Sequence, residues 1–179
     1  MLPQSHIAFT AAAITVLKDK IPAFKNVDYR LLALVAMGPD LIDKPLAVAY
    51  FYRKYGAAVL FAHTLIVHLS LFIYTLWKKP KWWPYALAFN GHAILDRLWF
   101  FKQTWYWPLA GWRFTVWKKE GSDQIGIKNA YWHAFTTQPE VIRWEIGGLL
   151  VGLWFVIRHK LYDPQRLVYF ISSGKLKDD

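Results

Sequence analysis

Long apolar runs joined by short charged connections set the pattern of this chain. The longest, AAVLFAHTLIVHLSLFIYTLW at residues 57–77, has the length of the roughly 20-residue helix that crosses a bilayer. Lys78, Lys79 and Lys81 then surround Pro80, and a second apolar run returns over residues 82–101. This predicts a helical hairpin with its lysine turn on the cytoplasmic side and Trp77, Trp82 and Trp83 at the interface. VIRWEIGGLLVGLWFVIRHK, residues 141–160, predicts a third long helix. The runs at residues 5–17 and 29–38 are too short to span and predict two partly embedded helices packed on the bundle. The first has no preceding Lys or Arg and no clear small-residue cleavage site, so it is expected to stay in the mature chain rather than act as a signal peptide. Pro108, Gly111, Gly121 and Gly126 break residues 102–140 into a long interfacial aromatic and basic loop with room for one short helix or strand pair, and residues 161–179 read as a polar tail. The fold expected is all-α: a polytopic helical membrane bundle of three long and two short helices, forming one domain over residues 1–160.

Composition sharpens this picture. The chain has 179 residues, is 55% hydrophobic and contains 11 Trp, yet its mean hydropathy is only +0.16, so the apolar residues are concentrated in segments. Without cysteine there are no disulfides and no thiolate metal sites. The net charge of +10 is strewn over connections and tail, which suits anionic lipid head groups as partners. Nucleic acid is not expected, because the aromatics fall in apolar segments or beside Pro and Gly, outside any recognisable binding motif.

The candidate chemistry lies in polar residues inside apolar segments. In NGHAILDRLW, His92 and Asp96 are four apart and share one helix face. In a hairpin centred near Pro80, residues whose numbers sum to about 160 lie level, which brings His63 to the depth of Asp96 and His68 to that of His92. His63 and His68 are five apart, about 140° around a helix, so only one can point squarely at a shared ion, and His63 is taken as the ligand. LPQSHIAF adds His6 behind Ser5, a plausible helix cap, and AMGPDLIDKP adds Asp40 and Asp43. His6, Asp40, His63, His92 and Asp96 form a nitrogen and oxygen donor set for a divalent cation, zinc first, with manganese or iron as alternatives. Five donors exceed what one catalytic zinc takes, leaving one or two ions open. Asp43, His68 and Glu145 are secondary candidates. Asp96, His92 and Asp40 would be central to catalysis, with Arg97 and Arg113 as phosphate contacts.

In order, SHIAFT, GPDLID, AHT, GHAILD and WYWPLAGWRF resemble the motifs of a YdjM-like family of LexA-regulated, membrane-bound, metal-dependent hydrolases of the bacterial inner membrane. The resemblance covers residues 1–114. It assigns His6, Asp40, His63, His92 and Asp96 to that family's metal motifs, while Ser5 replaces a glycine and no histidine follows Asp43. The same order is more distantly similar to zinc-dependent phospholipase C. The resemblance implies a multi-pass inner-membrane protein hydrolysing a phosphoester of a lipid or lipid-linked substrate. Two other readings stay open at this point: a non-catalytic membrane protein with a structural metal, and a small membrane protein conducting protons or ions.

Overall fold

Proline and capping side chains set most helix starts. Helix α1 (Pro3–Lys18) opens on a residue whose fixed φ suits a first turn. Helix α2 (Tyr29–Ala36) is capped by Asp28, whose carboxylate accepts from the N–H groups of Arg30 and Leu31. Helix α3 (Gly38–Leu46) has Pro39 in its first turn and Pro45 inside it; a wider π turn, Ala47–Phe51, follows before the short α4 (Tyr52–Tyr55) closes on Gly56 at φ 66°. Residues 57–64 are not α-helical and end in a 3-10 turn, Phe61–His63, after which Thr64 caps α5 (Leu65–Lys78) through Val67 N–H. Helix α6 (Trp83–Leu95) runs back from the lysine turn. Helices α7 (Lys102–Trp105), α8 (Ile127–Thr137), α9 (Pro139–Arg158) and α10 (Pro164–Ser173) complete the chain. This computed structural model describes residues 2–18, 20–116 and 127–177, and among them there is no strand.

The all-α expectation holds, and the membrane expectation does not. Among the described residues no helix is long and apolar enough to cross a membrane, which overturns the polytopic bundle of three long helices, its transmembrane topology and the multi-pass inner-membrane localisation. The physical reason is visible in each run. Residues 57–77 yield only the 14-residue α5, because the eight residues before Leu65 leave the helix. Residues 82–101 yield the 13-residue α6, ended by Arg97 in the left-handed region at φ 51°. Helix α9 has 20 residues but carries Glu140, Arg143, Glu145 and Arg158.

Two further expectations change. Residues 161–179 are not simply a tail: they hold α10, tied back to α2 by Tyr29 N–H donating to Gly174 O at 2.7 Å and by Arg30 donating to Ser172 O at 2.6 Å. The loop of residues 102–140 contains α7 and α8, and its middle, residues 117–126, lies outside the described residues.

Helix α1 packs on α9 and α2, α2 on α6, and α6 on α5. Ile14, Phe24, Leu32, Ala36, Ala88 and Phe155 belong to the largest buried apolar cluster, which joins α1, α2, α6 and α9. The contact of α1 with α9 is close because both contribute small residues. A Cβ built on Gly148 would lie 2.2 Å from Ser5 Oγ and 2.8 Å from Ser5 Cα, and one on Gly152 would lie 3.7 Å from Ala8 Cβ. Gly148→Ala gains about 1 kcal/mol of helix propensity. The clash is with backbone, however, and overpacking costs about 1–3 kcal/mol, so we expect a net loss of roughly 1 kcal/mol in urea unfolding. Gly152→Ala, with ordinary contact distance, should not lose stability in the same titration.

Candidate metal centre

Four elements deliver the donors. Helix α1 carries His6, α3 carries Asp40, the 3-10 turn before α5 carries His63, and α6 carries His92 with Asp96 at its C-terminal cap. His6 Nε2 lies 3.3 Å from Asp96 Oδ1, and His92 Nε2 lies 3.3 Å from Asp96 Oδ2 and 3.9 Å from Asp40 Oδ1. His63 Nε2 is 3.3 Å from Asp40 Oδ1. Two triads result, His6–His92–Asp96 and Asp40–His63–His92, each with its donor atoms within 4.8 Å of one another. Donors that share an ion at about 2.1 Å lie about 3–4 Å apart, so buried His and Asp groups here are close enough to bind a metal ion.

Hydrogen bonds to the outer ring nitrogens fix which atoms face inward. Ala36 O can only accept, so His92 Nδ1 donates to it, at 2.9 Å, and His92 Nε2 is left as a lone pair. Asp43 accepts from Leu60 N–H, Ala62 N–H and His63 Nδ1, the last at 2.6 Å, so the neutral His63 ring also turns a bare Nε2 inward. Carboxylate and carbonyl partners of this kind orient metal-binding histidines. Inside the cluster, Nε2 of His6, His63 and His92 and Oδ1 of Asp40 are buried without a hydrogen-bond partner. Lone pairs facing carboxylate oxygens at 3.3 Å repel unless a proton or a metal ion lies between them.

The electrostatics agree with this. Burial, reinforced by neighbouring His92, pushes His6 down to about 4. Burial opposes charge on His63 as well, but Asp40 and Asp43 outweigh it and raise its pKa. Burial raises Asp40 and Asp96, yet His63 and Lys44 at Asp40, and His92 at Asp96, hold both below the ordinary carboxyl range. The carboxylates thus attract positive charge into the cluster, and a metal ion can replace the proton.

The secondary candidates take other places. Asp43 is fully buried and serves His63 and the backbone, which is also why residues 60–62 leave the helix. His68 is outside both triads, packed against Phe89 and Trp105 with Nδ1 3.3 Å from Asn90 Oδ1, and burial lowers it to about 4. Glu145 accepts from Leu2 N–H, Gln4 Nε2 and Ser5 Oγ, and so clamps the start of α1 to α9. Ser5 is therefore inside α1 and bonded to Glu145, not the cap of that helix.

Asp40 and Asp96 line the inner wall of a cleft of about 310 Å³ that opens to the surface. Arg97 lines it too, with Nη2 2.7 Å from Glu140 Oε1 and its guanidinium over Trp144. Arg113 is exposed and does not line this cleft. The sequence reading missed Lys44, which lines the cleft with Nζ 3.2 Å from Asp40 Oδ1. Its spacing of four from Asp40 on one helix was the available signal.

No protein-family model matches the chain, and neither a curated protein nor a solved structure matches it. The donors and the cleft therefore carry the functional reading.

Proposed function

We propose that the chain is a metal-dependent hydrolase of phosphoesters, with a single divalent cation centred on His92 and taking its other ligands from the two triads formed by His6, Asp40, His63, His92 and Asp96. The observation that supports it is the clustering of buried, unpartnered histidine nitrogens with carboxylate oxygens in two triads that share His92. One ion is favoured over two because both triads need His92, whose single free nitrogen has one lone pair and cannot serve two ions. Zinc, manganese and iron(II) all accept such a donor set. When bound, the ion supplies Lewis-acid activation of water and of a phosphoryl oxygen.

The chain's own residues do the rest. Asp40 and Asp96 keep 12% and 19% of their side chains accessible, so the donor set meets the cleft on its carboxylate side. An open side of this kind suits catalysis, whereas a structural site is closed by its protein ligands. Lys44 and Arg97 line the cleft as two cations suited to the oxygens of a phosphoester. Phe100, Phe101 and Trp144 give the cleft an apolar wall, which suits an ester with a lipid-like or aromatic substituent.

Elemental analysis of the purified protein, followed by assays with bis(4-nitrophenyl) phosphate and 4-nitrophenyl phosphate in Zn²⁺ or Mn²⁺, tests this. One ion per chain and metal-dependent release of nitrophenolate are expected, both lost with a chelator and turnover lost in Asp96→Asn. A protein that holds its metal, melts earlier when chelated and releases no nitrophenolate from either ester has a structural metal instead.

A further inference from the structure

On the other side of α3 from the metal donors lies a second hollow, an apolar groove of about 450 Å³ between α2, α3, α5 and α6. While Asp40 belongs to the catalytic cleft, its neighbours Leu41 and Ile42 line this groove. We propose that it binds the hydrocarbon chain of a single-chain anionic amphiphile, with the head group held by Lys78, Lys79 and Lys81. The inference does not depend on the hydrolytic reading, because the groove uses none of the metal donors.

Four observations fit that occupant. The volume falls in the range of about 300–1,000 Å³ usual for small-molecule sites. The walls offer almost nothing to a polar ligand: Thr75 donates its hydroxyl to Leu71 O at 2.7 Å, and the Tyr85 hydroxyl accepts from Asp28 N–H at 2.9 Å. An extended peptide would bring backbone N–H and C=O groups that find no partner there, and a helix, about 10 Å across with its side chains, is too broad for such a volume. A hydrocarbon chain has neither difficulty.

The ends of the groove give the orientation. At one end Phe89 closes over Gly38, where a Cβ would come within 2.8 Å of the ring, and this wall separates the groove from His92 one turn further along α6. At the other end stand Thr75 and Trp82, joined directly to the lysine turn by Lys79 N–H donating to Thr75 O and Trp82 N–H donating to Lys79 O. Lys78, Lys79 and Lys81 are all exposed, and residues 65–95 contain no Asp or Glu to neutralise them. Apolar hollow and cationic mouth together match a tail and an anionic head.

Calorimetric titration with dodecyl phosphate below its micellar concentration, at low salt, tests the proposal on the whole chain, with inorganic phosphate and a neutral dodecyl glycoside as companions. One dodecyl phosphate per chain is expected, with affinity falling about fourfold for each methylene removed. Inorganic phosphate should not compete. Changing Lys78, Lys79 and Lys81 together to Gln should weaken dodecyl phosphate about a hundredfold and leave the glycoside unchanged, the loss expected when three cations near an anionic head are removed. Leu41→Glu, at a position already 52% exposed and so tolerant of the change, should weaken both amphiphiles. Asp96→Asn should bind as wild type does, which separates this site from the metal centre. Binding that neither the lysine variant nor Leu41→Glu alters would place the amphiphile elsewhere and overturn the proposal. So would absence of binding, or a concentration-dependent dimer dispersed by Leu41→Glu, which would make a second copy of the chain the occupant.

Discussion

Replacing His92 by alanine is expected to strip the protein of its metal, lowering affinity by more than about a hundredfold, since outer-ring partners alone are worth about 10–100-fold. The ring stands at the centre of the cluster, 4.1 Å from the His6 ring and 5.2 Å from that of His63 by centroid, and it contributes to both triads. No second ion should survive its loss. The fold should survive: the change leaves Ala36 O without its partner and opens a small cavity, together on the order of 1–3 kcal/mol against a typical domain stability of about 5–15 kcal/mol. Competition with a chelating indicator reads the affinity, and circular dichroism reads the fold. A variant that still holds one ion per chain would show two independent sites and contradict the single-ion reading.

The second large effect is expected at a residue that touches no metal. Asp43 is fully buried and accepts three hydrogen bonds, from Leu60 N–H, Ala62 N–H and His63 Nδ1. Asp43→Asn keeps the shape but turns one acceptor oxygen into a donor NH₂, which then faces a donor. Either His63 changes tautomer and presents N–H to the metal, or a backbone N–H is left unpaired. Breaking a buried charged network of this kind costs about 3–5 kcal/mol, so the urea midpoint should fall by much more than for Gly148→Ala. Metal affinity should drop about 10–100-fold even where the variant is folded. Unchanged stability together with unchanged affinity would mean that Asp43 does not hold His63.

These residues also show what the sequence could and could not disclose. His92 and Asp96 are legible because a spacing of four on one helix is a local property. His6, Asp40 and His63 stood out as polar residues beside apolar runs, but the register that set His63 level with Asp96 assumed a helix through residue 63, and the structure brings His63 to Asp40 and His92 instead. The roles of Asp43 and Glu145 were not legible, because each acts on a segment far along the chain: Asp43 on residues 60–63, and Glu145 on the start of α1. The error in the fold has the same source. Hydropathy counted residues 57–77 as one helix, since nothing local announces that Asp43 draws the N–H groups of Leu60 and Ala62 out of helical bonding. The apolar residues of these runs are instead divided, with Ala58 and Leu60 buried and Leu69 and Ile73 exposed.

The clamp between Glu145 and Ser5 joins positions 140 residues apart, and this bears on the order in which the protein is made. His6 is therefore made well ahead of Glu145 in α9, the surface against which α1 is held. At about 5–20 residues per second, the interval is on the order of ten seconds. During that time Asp40, His63, His92 and Asp96 are synthesised, but α1, which bears His6, has only α2 and α6 to pack on and not yet α9. A chain halted before α9 therefore lacks the clamp on the start of α1, and the donor cluster gains it only once α9 has been made.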